Sequence, residues 1–323
     1  MSDTPDTTNT DDPSAAQSTT PDDGAAADNQ PTSSTDTGST DAASAGTTST
    51  DTSSNTTSSA DADSSNASAS PGGAAPSADD PGQPYLFVDL YSGDDGRLAG
   101  GKPDWATLAG TPSYVGAIIK AYDGVSFNDG GWFARHWPAI RDAGGDNYGK
   151  RWFRGAYHFL EFMRDGAAQA DAYLAAVDAA GGWDAGDILP IIDVEQGGAT
   201  HPNRSASKQQ VIDCATACAD RIRAVTGRRV ILYGRGAMRD LGITDKMGCD
   251  LVWNPAYTAQ MVIHGLEAFT LEDIVLWQYC GDGTAAIQSL PSTVPKFGPC
   301  DLSVFVKGAQ TPTLQMVRDN LLS

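Results

Sequence analysis

Residues 1–82 lack almost everything from which a folded core is built. They contain no lysine or arginine and, apart from proline, Met1 is their one apolar side chain larger than alanine. Such a segment cannot offset the entropy lost on folding, so we predict a disordered tail. Its 14 aspartates leave 27 of the 41 acids against all 21 bases in the rest of the chain. We expect the tail to be a solvated spacer that is dispensable for chemistry, with docking as the alternative.

The rest of the chain lacks a basic stripe and any long apolar run. A mildly acidic folded part argues against nucleic acid as a ligand. No apolar stretch reaches the roughly 18–20 residues of a membrane span, and the N-terminus lacks the charged and apolar regions of a secretory signal. We therefore expect no membrane span, and export, if it happens, by another route.

Cysteine and histidine are both scarce. Five cysteines are an odd number and too few for a disulfide scaffold, and four histidines without a close His/Cys cluster argue against a structural zinc site. Cys214 and Cys218 lie four apart on a predicted helix and are interpreted as buried apolar residues. Cys280 and Cys300 flank two late strands and could form a disulfide if those strands pair antiparallel.

From about residue 83, short apolar runs alternate with helical segments. Eight runs are predicted as strands, at residues 86–90, 115–120, 153–159, 188–194, 230–233, 250–253, 274–279 and 302–305. Four predicted helices separate the first five runs, and the fourth opens at Ser207, which forms a capping box with Gln210. This alternation predicts an α/β fold with a parallel sheet closed into a TIM-like barrel, whose final strands depart from the β/α order. We assign residues 83–306 to the barrel and residues 307–323 to a C-terminal extension.

The fourth run ends in two acids, Asp193 and Glu195. Alternate residues of a strand face the same way, with Cα atoms about 6.5–7 Å apart, so the two carboxyls share one site. Glycoside hydrolysis needs such a pair, because one carboxyl stays protonated to donate while its neighbour stays ionised. The alternative is that the pair only ends a strand and caps the segment that follows.

Two more acids are candidates because barrel enzymes place reacting groups where strands end at the carboxyl face. Asp89 closes the first run. Asp301 opens the eighth, so it reaches the same face only if its strand runs opposite to the first. The four carboxylates would then meet in one pocket, where like charges raise the pKa of the least solvated group.

Several polar and aromatic residues are candidates for binding. His158, at the end of the third run, is interpreted as a supporting residue or a proton carrier. Lys120 is interpreted as an ion-pair partner of one of the acids or as a contact to a polar substrate group. Aromatic rings stack on the faces of sugars, with core packing as the alternative for each tryptophan. The aromatic candidates are Tyr91, Tyr157, Trp253, Tyr257 and Trp277.

Ordered blocks across about residues 85–306 resemble a known family. The strongest are Gly155-Ala156-Tyr157-His158-Phe159 and Asp193-Val194-Glu195. The others are Phe87-Val88-Asp89-Leu90, Asp104-Trp105, Ile118-Ile119-Lys120-Ala121 with Gly124, Gln169-Ala170, Leu189-Pro190, Trp253 with Tyr257, Trp277-Gln278-Tyr279, and Asp301-Leu302 with Phe305. Together they are similar to glycoside hydrolase family 25, the Chalaropsis-type lysozymes. Where that family commonly has Asp-x-Asn near its end, this chain has Ser303 in the third place.

The resemblance implies a barrel of five β/α units followed by three strands, partly antiparallel. It also implies hydrolysis of the β-1,4 bond between N-acetylmuramic acid and N-acetylglucosamine in peptidoglycan. Carried over residue by residue, it makes Glu195 the general acid and Asp193 the residue that steers the 2-acetamido group or the developing positive charge. Asp89 and Asp301 complete the acidic floor, and Tyr157 and His158 line the groove. The reaction requires no cofactor or metal, and we expect a monomer.

The sequence therefore favours a lysozyme that acts on the glycan strands of peptidoglycan, set in a phage as an endolysin or virion lysin. The alternative is a non-catalytic protein on the same barrel, which binds wall glycan or builds a virion. A glycosidase of another specificity is the second enzyme reading. A binding protein has no reason to hold four mutually repelling carboxylates in one pocket, which favours catalysis.

Overall fold

The computed structural model describes residues 80–322. Apart from residues 80–82, the predicted disordered tail lies outside the described residues. The strands of the described part are β1 (Leu86–Leu90), β2 (Tyr114–Asp123), β3 (Phe153–Phe159), β4 (Ile191–Asp193), β5 (Ile231–Tyr233), β6 (Leu251–Pro255), β7 (Ile274–Gly281), β8 (Thr284–Ala285) and β9 (Asp301–Phe305). The helices are α1 (Trp105–Ala109), α2 (Trp132–Gly144), α3 (Gly166–Ala179), α4 (Lys208–Thr226), α5 (Gly236–Leu241) and α6 (Leu314–Leu321).

Eight of these strands close a barrel. The neighbour order is β6-β5-β4-β3-β2-β1-β9-β7, and pairing of β7 with β6 completes the ring. Strands β1 to β7 pair parallel where they adjoin, whereas β9 runs antiparallel to both β1 and β7. The short β8 adds an antiparallel hairpin to the end of β7. The predicted α/β barrel, with five β/α units and irregular final strands, is confirmed.

Helix α4 shows how the local sequence sets these elements. The Ser207 hydroxyl accepts a hydrogen bond from the Gln210 backbone N–H, and the Gln210 side chain reaches back to the Ser207 backbone, as the capping box predicts. Gly227 ends the helix at φ 68°, a left-handed conformation that glycine adopts without strain. Among residues 80–322, no helix is both long and apolar enough to cross a membrane.

The barrel strands separate two apolar layers. Outward side chains such as Val88, Ile119 and Ile192 pack with the helices in the larger layer, which also holds Trp137 and Tyr173. Inward side chains fill the barrel itself in a second layer, which includes Phe87, Phe153, Ile191, Ile231, Leu276 and Phe305. The apolar filling occupies the part of the interior that leads up to the carboxyl ends of β1 and β4.

Helix α6 completes this inner layer at the amino end of β4. Leu314, Val317 and Leu321 are buried with the inward side chains of the barrel. The backbone N–H of Leu189, just before β4, donates to the Leu321 carbonyl at 2.7 Å. The boundary that separates residues 307–323 from the barrel stays a prediction, although α6 shares the inner core.

All five cysteines are buried free thiols. Strands β7 and β9 do pair antiparallel, and Cys280 lies opposite Leu302. Cys280 and Cys300 nevertheless remain unlinked, so the disulfide that the sequence allowed is absent. Cys214 and Cys218 are buried on α4, as their spacing predicted.

Candidate active site

A polar layer ends the barrel interior at the carboxyl face of the parallel strands. Each of its members lies two or four positions from an inward apolar residue, so the strand period alone aims it into the same space. The pairs along the chain are Phe87 with Asp89, Ile191 with Asp193 and Glu195, Leu276 with Gln278, and Phe305 with Ser303 and Asp301. Above this layer opens a cleft whose lining contains all four predicted acids, Asp89, Asp193, Glu195 and Asp301.

Five other predicted site residues also line the cleft, namely Tyr91, Lys120, Tyr157, Trp253 and Tyr257. Two predicted residues do not, because each is next in sequence to an inward residue and therefore faces the opposite way. His158 follows Tyr157 and is fully buried in the outer layer, with its ring stacked on Tyr173 at 5.6 Å. Trp277 precedes Gln278 and donates from its indole N–H to the Ala256 carbonyl at 2.7 Å.

Asp89 and Asp301 meet as directly opposed residues. The antiparallel pairing of β1 with β9 sets Asp89 at the end of one strand against Asp301 at the start of the other. This is the reversed final strand on which the prediction for Asp301 depended. Both carboxylates accept hydrogen bonds from the side-chain amide of Gln278, at 2.8 Å for Asp89 and 3.3 Å for Asp301.

Asp193 and Glu195 lie on the floor of the cleft at the end of β4. Burial, followed by the charge of Glu195, raises the pKa of Asp193 well above its ordinary value. Burial raises the pKa of Glu195 to about 7, against an opposing effect of Lys120. The Glu195 carboxyl lines the cleft and makes no hydrogen bond within residues 80–322. Its backbone carbonyl is held by the buried Asn203 amide at 2.9 Å.

Asp89 and Asp301 also bind their protons unusually tightly. Burial and then the charge of Asp301 raise the pKa of Asp89, while the Gln278 hydrogen bond lowers it. Burial raises the pKa of Asp301 to about 7, although its Oδ1 accepts a 2.7 Å hydrogen bond from the Asp282 backbone N–H. The carboxyls titrate as an interacting cluster, since Glu195 raises the pKa of Asp193 and Asp301 raises that of Asp89.

Lys120 lines the cleft, and its positive charge acts on both Asp193 and Glu195. Its ammonium forms an ion pair with Asp123 at 3.1 Å rather than with any of the four acids. It also lies 4.9 Å from the centroid of the Phe159 ring and 5.4 Å from that of Tyr91. Lys120 therefore acts on the acids through space and lowers the pKa of both Asp193 and Glu195.

The aromatic residues of the cleft differ in how much ring they offer to a ligand. Trp253 is only 1% exposed, and its indole N–H donates to the Ser303 hydroxyl at 2.8 Å. Tyr157 lies edge-to-face with Trp253 at 6.5 Å and is half-buried, as are Tyr91 and Tyr257. The three tyrosines thus present more surface for sugar stacking than Trp253 does.

A charged rim that was not predicted from the sequence lies above the floor. Arg97 forms ion pairs with Asp94, in the turn after β1, and with Asp282, in the turn between β7 and β8. Asp94 accepts a 2.8 Å hydrogen bond from the Tyr91 backbone, and the Asp282 backbone donates to Asp301. No sequence signal joined these positions, because 185 residues separate Arg97 from Asp282.

Gln278 and Tyr233 were also missed, although the sequence did contain a signal for both. Each lies two positions beyond an inward apolar residue at the end of its run, as Asp89 and Asp193 do. Their side chains are joined by a 2.8 Å hydrogen bond from the Tyr233 hydroxyl to the Gln278 amide oxygen. The strand period would have found them, had it been applied to polar residues other than acids.

The arrangement suits acid-catalysed cleavage of a glycosidic bond. Departure of a sugar leaves an oxocarbenium-like centre, which requires one protonated donor and ionised acids nearby. Glu195 has the raised pKa of a donor, and Asp193, the last residue of β4, lines the same cleft. An open cleft lined by tyrosines, one buried carboxyl and three partly buried carboxyls combines a sugar-binding surface with this chemistry.

Comparison with known proteins identifies the family. The family model of glycosyl hydrolases family 25 matches residues 99–286, more than half of the chain. This range includes Asp193 and Glu195 but ends before Asp301 and begins after Asp89. Over 119 residues the chain is 35% identical to the N,O-diacetylmuramidase of Chalaropsis sp., and the match covers 36% of this chain and 53% of that protein. The chain thus spans about half the length of that curated relative.

Solved structures share the fold. A family 25 glycosyl hydrolase from Bacillus anthracis matches with a TM-score of 0.52 and 24% identity, over 69% of this chain and 89% of that one. The bacterial lysozyme from Streptomyces coelicolor matches with a TM-score of 0.53 and 21% identity, over 74% of this chain and 99% of that one. With the family match over the cleft-bearing strands and the ordered blocks of the sequence, these findings show that the chain belongs to glycosyl hydrolases family 25.

Proposed function

We propose that the chain is a lysozyme, an N-acetylmuramidase that hydrolyses the β-1,4 bond between N-acetylmuramic acid and N-acetylglucosamine in peptidoglycan. The observation that carries the proposal is the Glu195 carboxyl, which faces the cleft with a pKa raised to about 7 and lies beside Asp193. Family membership supports the reaction class. The activities named for the similar proteins, a diacetylmuramidase and a lysozyme, support the substrate.

In the proposed reaction, Glu195 donates its proton to the glycosidic oxygen as the bond to the leaving sugar breaks. Asp193 orients the 2-acetamido group of the substrate, whose carbonyl oxygen then bonds to the anomeric carbon and stabilises its positive charge. In the second step water attacks that carbon as its bond to the acetamido oxygen breaks, which restores the acetamido group, and Glu195 takes the proton of the water. No protein carboxylate becomes covalently attached, as in the substrate-assisted families.

The remaining cleft residues bind and shape the site in this proposal. Asp89 and Asp301 complete the acidic floor, and Tyr157, Tyr91 and Tyr257 contact sugar rings. Substrate-assisted attack predicts that the first product retains the anomeric configuration and that de-N-acetylated wall is cut poorly. NMR of the first-formed product tests this, and an inverted anomer would overturn the assisted step.

The activity itself is tested by the release of reducing ends from purified peptidoglycan, with mass analysis of the fragments. Fragments with N-acetylmuramic acid at the reducing end are expected. Glu195→Gln should lower turnover by about 10²–10⁴-fold while binding of glycan persists, the usual effect of losing a general acid. Glu272→Gln, which alters a surface carboxyl paired with Lys307, is the matched control and should keep full activity.

We also propose a setting for the enzyme, which acts at the bacterial cell wall as a phage endolysin or virion lysin. The alternative function is that the barrel binds wall glycan without cutting it. Binding of glycan by the wild type with no reducing ends released would favour that alternative, whereas cleavage at another linkage would indicate a glycosidase of different specificity.

A further inference from the structure

Gln278 points inward from β7 and places an uncharged amide in the middle of the acidic floor. Gln278 is 1% exposed, and its NH₂ group donates to Asp89 Oδ2 at 2.8 Å and to Asp301 Oδ2 at 3.3 Å. The two carboxylates come from the first and the last strands of the barrel. One amide group therefore uses both of its hydrogens to hold two like-charged groups that would otherwise repel each other.

Two tyrosines fix the orientation of this amide. The hydroxyl of Tyr233, at the end of β5, donates to Gln278 Oε1 at 2.8 Å, and the hydroxyl of Tyr257, just after β6, donates at 2.5 Å. A flipped amide would bring its oxygen against two carboxylates, which have no hydrogen to donate when ionised. Burial raises the pKa of both tyrosines, so their hydroxyls keep the hydrogens that this network requires.

We propose that Gln278, locked by Tyr233 and Tyr257, is a positioning residue that holds the carboxyl groups of Asp89 and Asp301 together in the floor of the cleft. The expected effect on turnover rests on the proposed function. The expected effect on the two aspartates does not depend on which substrate the enzyme cleaves.

The two aspartates depend on Gln278 to different degrees. Asp301 also accepts from the Asp282 backbone, whereas the bond to Asp89 is the main hydrogen bond that lowers the pKa of that carboxyl. Loss of the amide should therefore make Asp89 protonate at higher pH. A glutamate at position 278 would place a fifth carboxyl among four, so a neutral donor is what the floor requires.

The test uses Gln278→Met, which keeps the length of the side chain and removes both the donor and the acceptor. We expect kcat to fall by tenfold or more with a smaller change in KM, and the acidic limb of the pH–rate profile to move to higher pH. The Tyr233→Phe/Tyr257→Phe double variant keeps the amide but unlocks it, and should move the same limb in the same direction by less. Tyr279→Phe is the matched control, since it removes a buried hydroxyl bond to the Pro291 carbonyl on the outer face of β7.

A second readout separates this inference from the proposed function. In chains with ¹³C-labelled aspartate carboxyls, the titration midpoint of Asp89 should rise in Gln278→Met and stay unchanged in Tyr279→Phe, whatever the enzyme cleaves. A wild type that releases no reducing ends would defeat the proposed function and leave this measurement intact. A folded Gln278→Met chain with an unchanged Asp89 midpoint and acidic limb would overturn the positioning role. If that chain does not fold, the same null result in the tyrosine double variant would do so.

Discussion

Lys120 lowers the pKa of Asp193 and Glu195 without pairing with either, because its ammonium is bound to Asp123. Lys120→Met should therefore raise both pKa values. Activity that needs protonated Glu195 and ionised Asp193 will then show both limbs of its pH–rate profile at higher pH, by roughly 0.5–1 unit for one partly solvated charge. Lys120→Arg keeps the charge and should leave the profile in place. A basic limb that stays near pH 7 in Lys120→Met would show that Lys120 does not act on Glu195.

The side chains that enter the cleft could be predicted only in part from the sequence. The sequence located all four acids, because carboxylates at the ends of apolar runs are few. His158 and Trp277 turn away from the cleft, because a strand turns alternate residues to opposite faces. This agrees with the supporting role left open for His158 and the core packing left open for Trp277. The sequence missed Gln278, whose value comes from partners on four other segments of chain that no local pattern connects.

Between β3 and the helices, a buried ion pair replaces apolar packing. Arg154 is 1% exposed, and its Nε lies 2.6 Å from Oδ1 of the fully buried Asp187. Its guanidinium lies 3.9 Å from the centroid of the Trp137 ring. Arg154→Met should lower the free energy of unfolding by about 3–5 kcal/mol, because it leaves a buried carboxylate without its charge partner. Arg221→Met removes an exposed pair with Asp171 and should cost less than about 1 kcal/mol. Urea denaturation measures both, and equal losses would contradict this assignment.

Helix α6 makes a second prediction about elements. Leu321 is fully buried in the inner layer of the barrel, although it lies beyond the last strand. Leu321→Ala should lower the free energy of unfolding by about 2–5 kcal/mol, as for other buried leucines. Gln315→Ala, on the exposed side of the same helix, should change it by less than about 0.5 kcal/mol. A small loss for Leu321→Ala would indicate that α6 is an appendage rather than part of the core.

The order of elements was predictable because each barrel strand is buried and therefore apolar. The alternation of runs and helices, with the capping box at Ser207, predicted four helices between the first five strands, whereas the count of five β/α units followed from the resemblance. The alternation did not predict strand β8 or helices α5 and α6, since two residues give no period and a short helix gives a weak one. The reversal of β9 followed from the resemblance, and the pairing of Asp89 with Asp301 explains why the reversal matters.

For the molecule as a whole, the acidic floor sets how stability depends on pH. Glu195 and Asp301 hold their protons up to about pH 7 in the folded chain but release them near their ordinary values when unfolded. The folded state therefore binds more protons in this interval, and the free energy of unfolding falls as pH rises through about 7. The cleft thus lowers stability at the pH where the acid must work.

Neutral replacements should reverse this loss. Glu195→Gln and Asp301→Asn are each expected to raise Tm at pH 8 by a few degrees, because 1 kcal/mol shifts Tm by about 2–4 °C in a domain of this size. At pH 4 the same replacements should change Tm little, since the wild-type carboxyls are already protonated. Asp171→Asn, on the surface, is the control. Thermal unfolding at both pH values measures this, and equal gains at pH 4 and pH 8 would contradict the linkage.

The pairing of β1 with β9 also bears on how the chain is made. More than 200 residues separate Asp89 from Asp301, so Asp89 emerges from the ribosome long before Asp301 is synthesised. Asp193 and Glu195 emerge between them, while the strand that closes the barrel comes last. An unfinished chain, or one cut before residue 301, therefore holds the acid pair without its floor. If the proposed function holds, the complete cleft for cutting wall glycan forms only after synthesis of the barrel is finished.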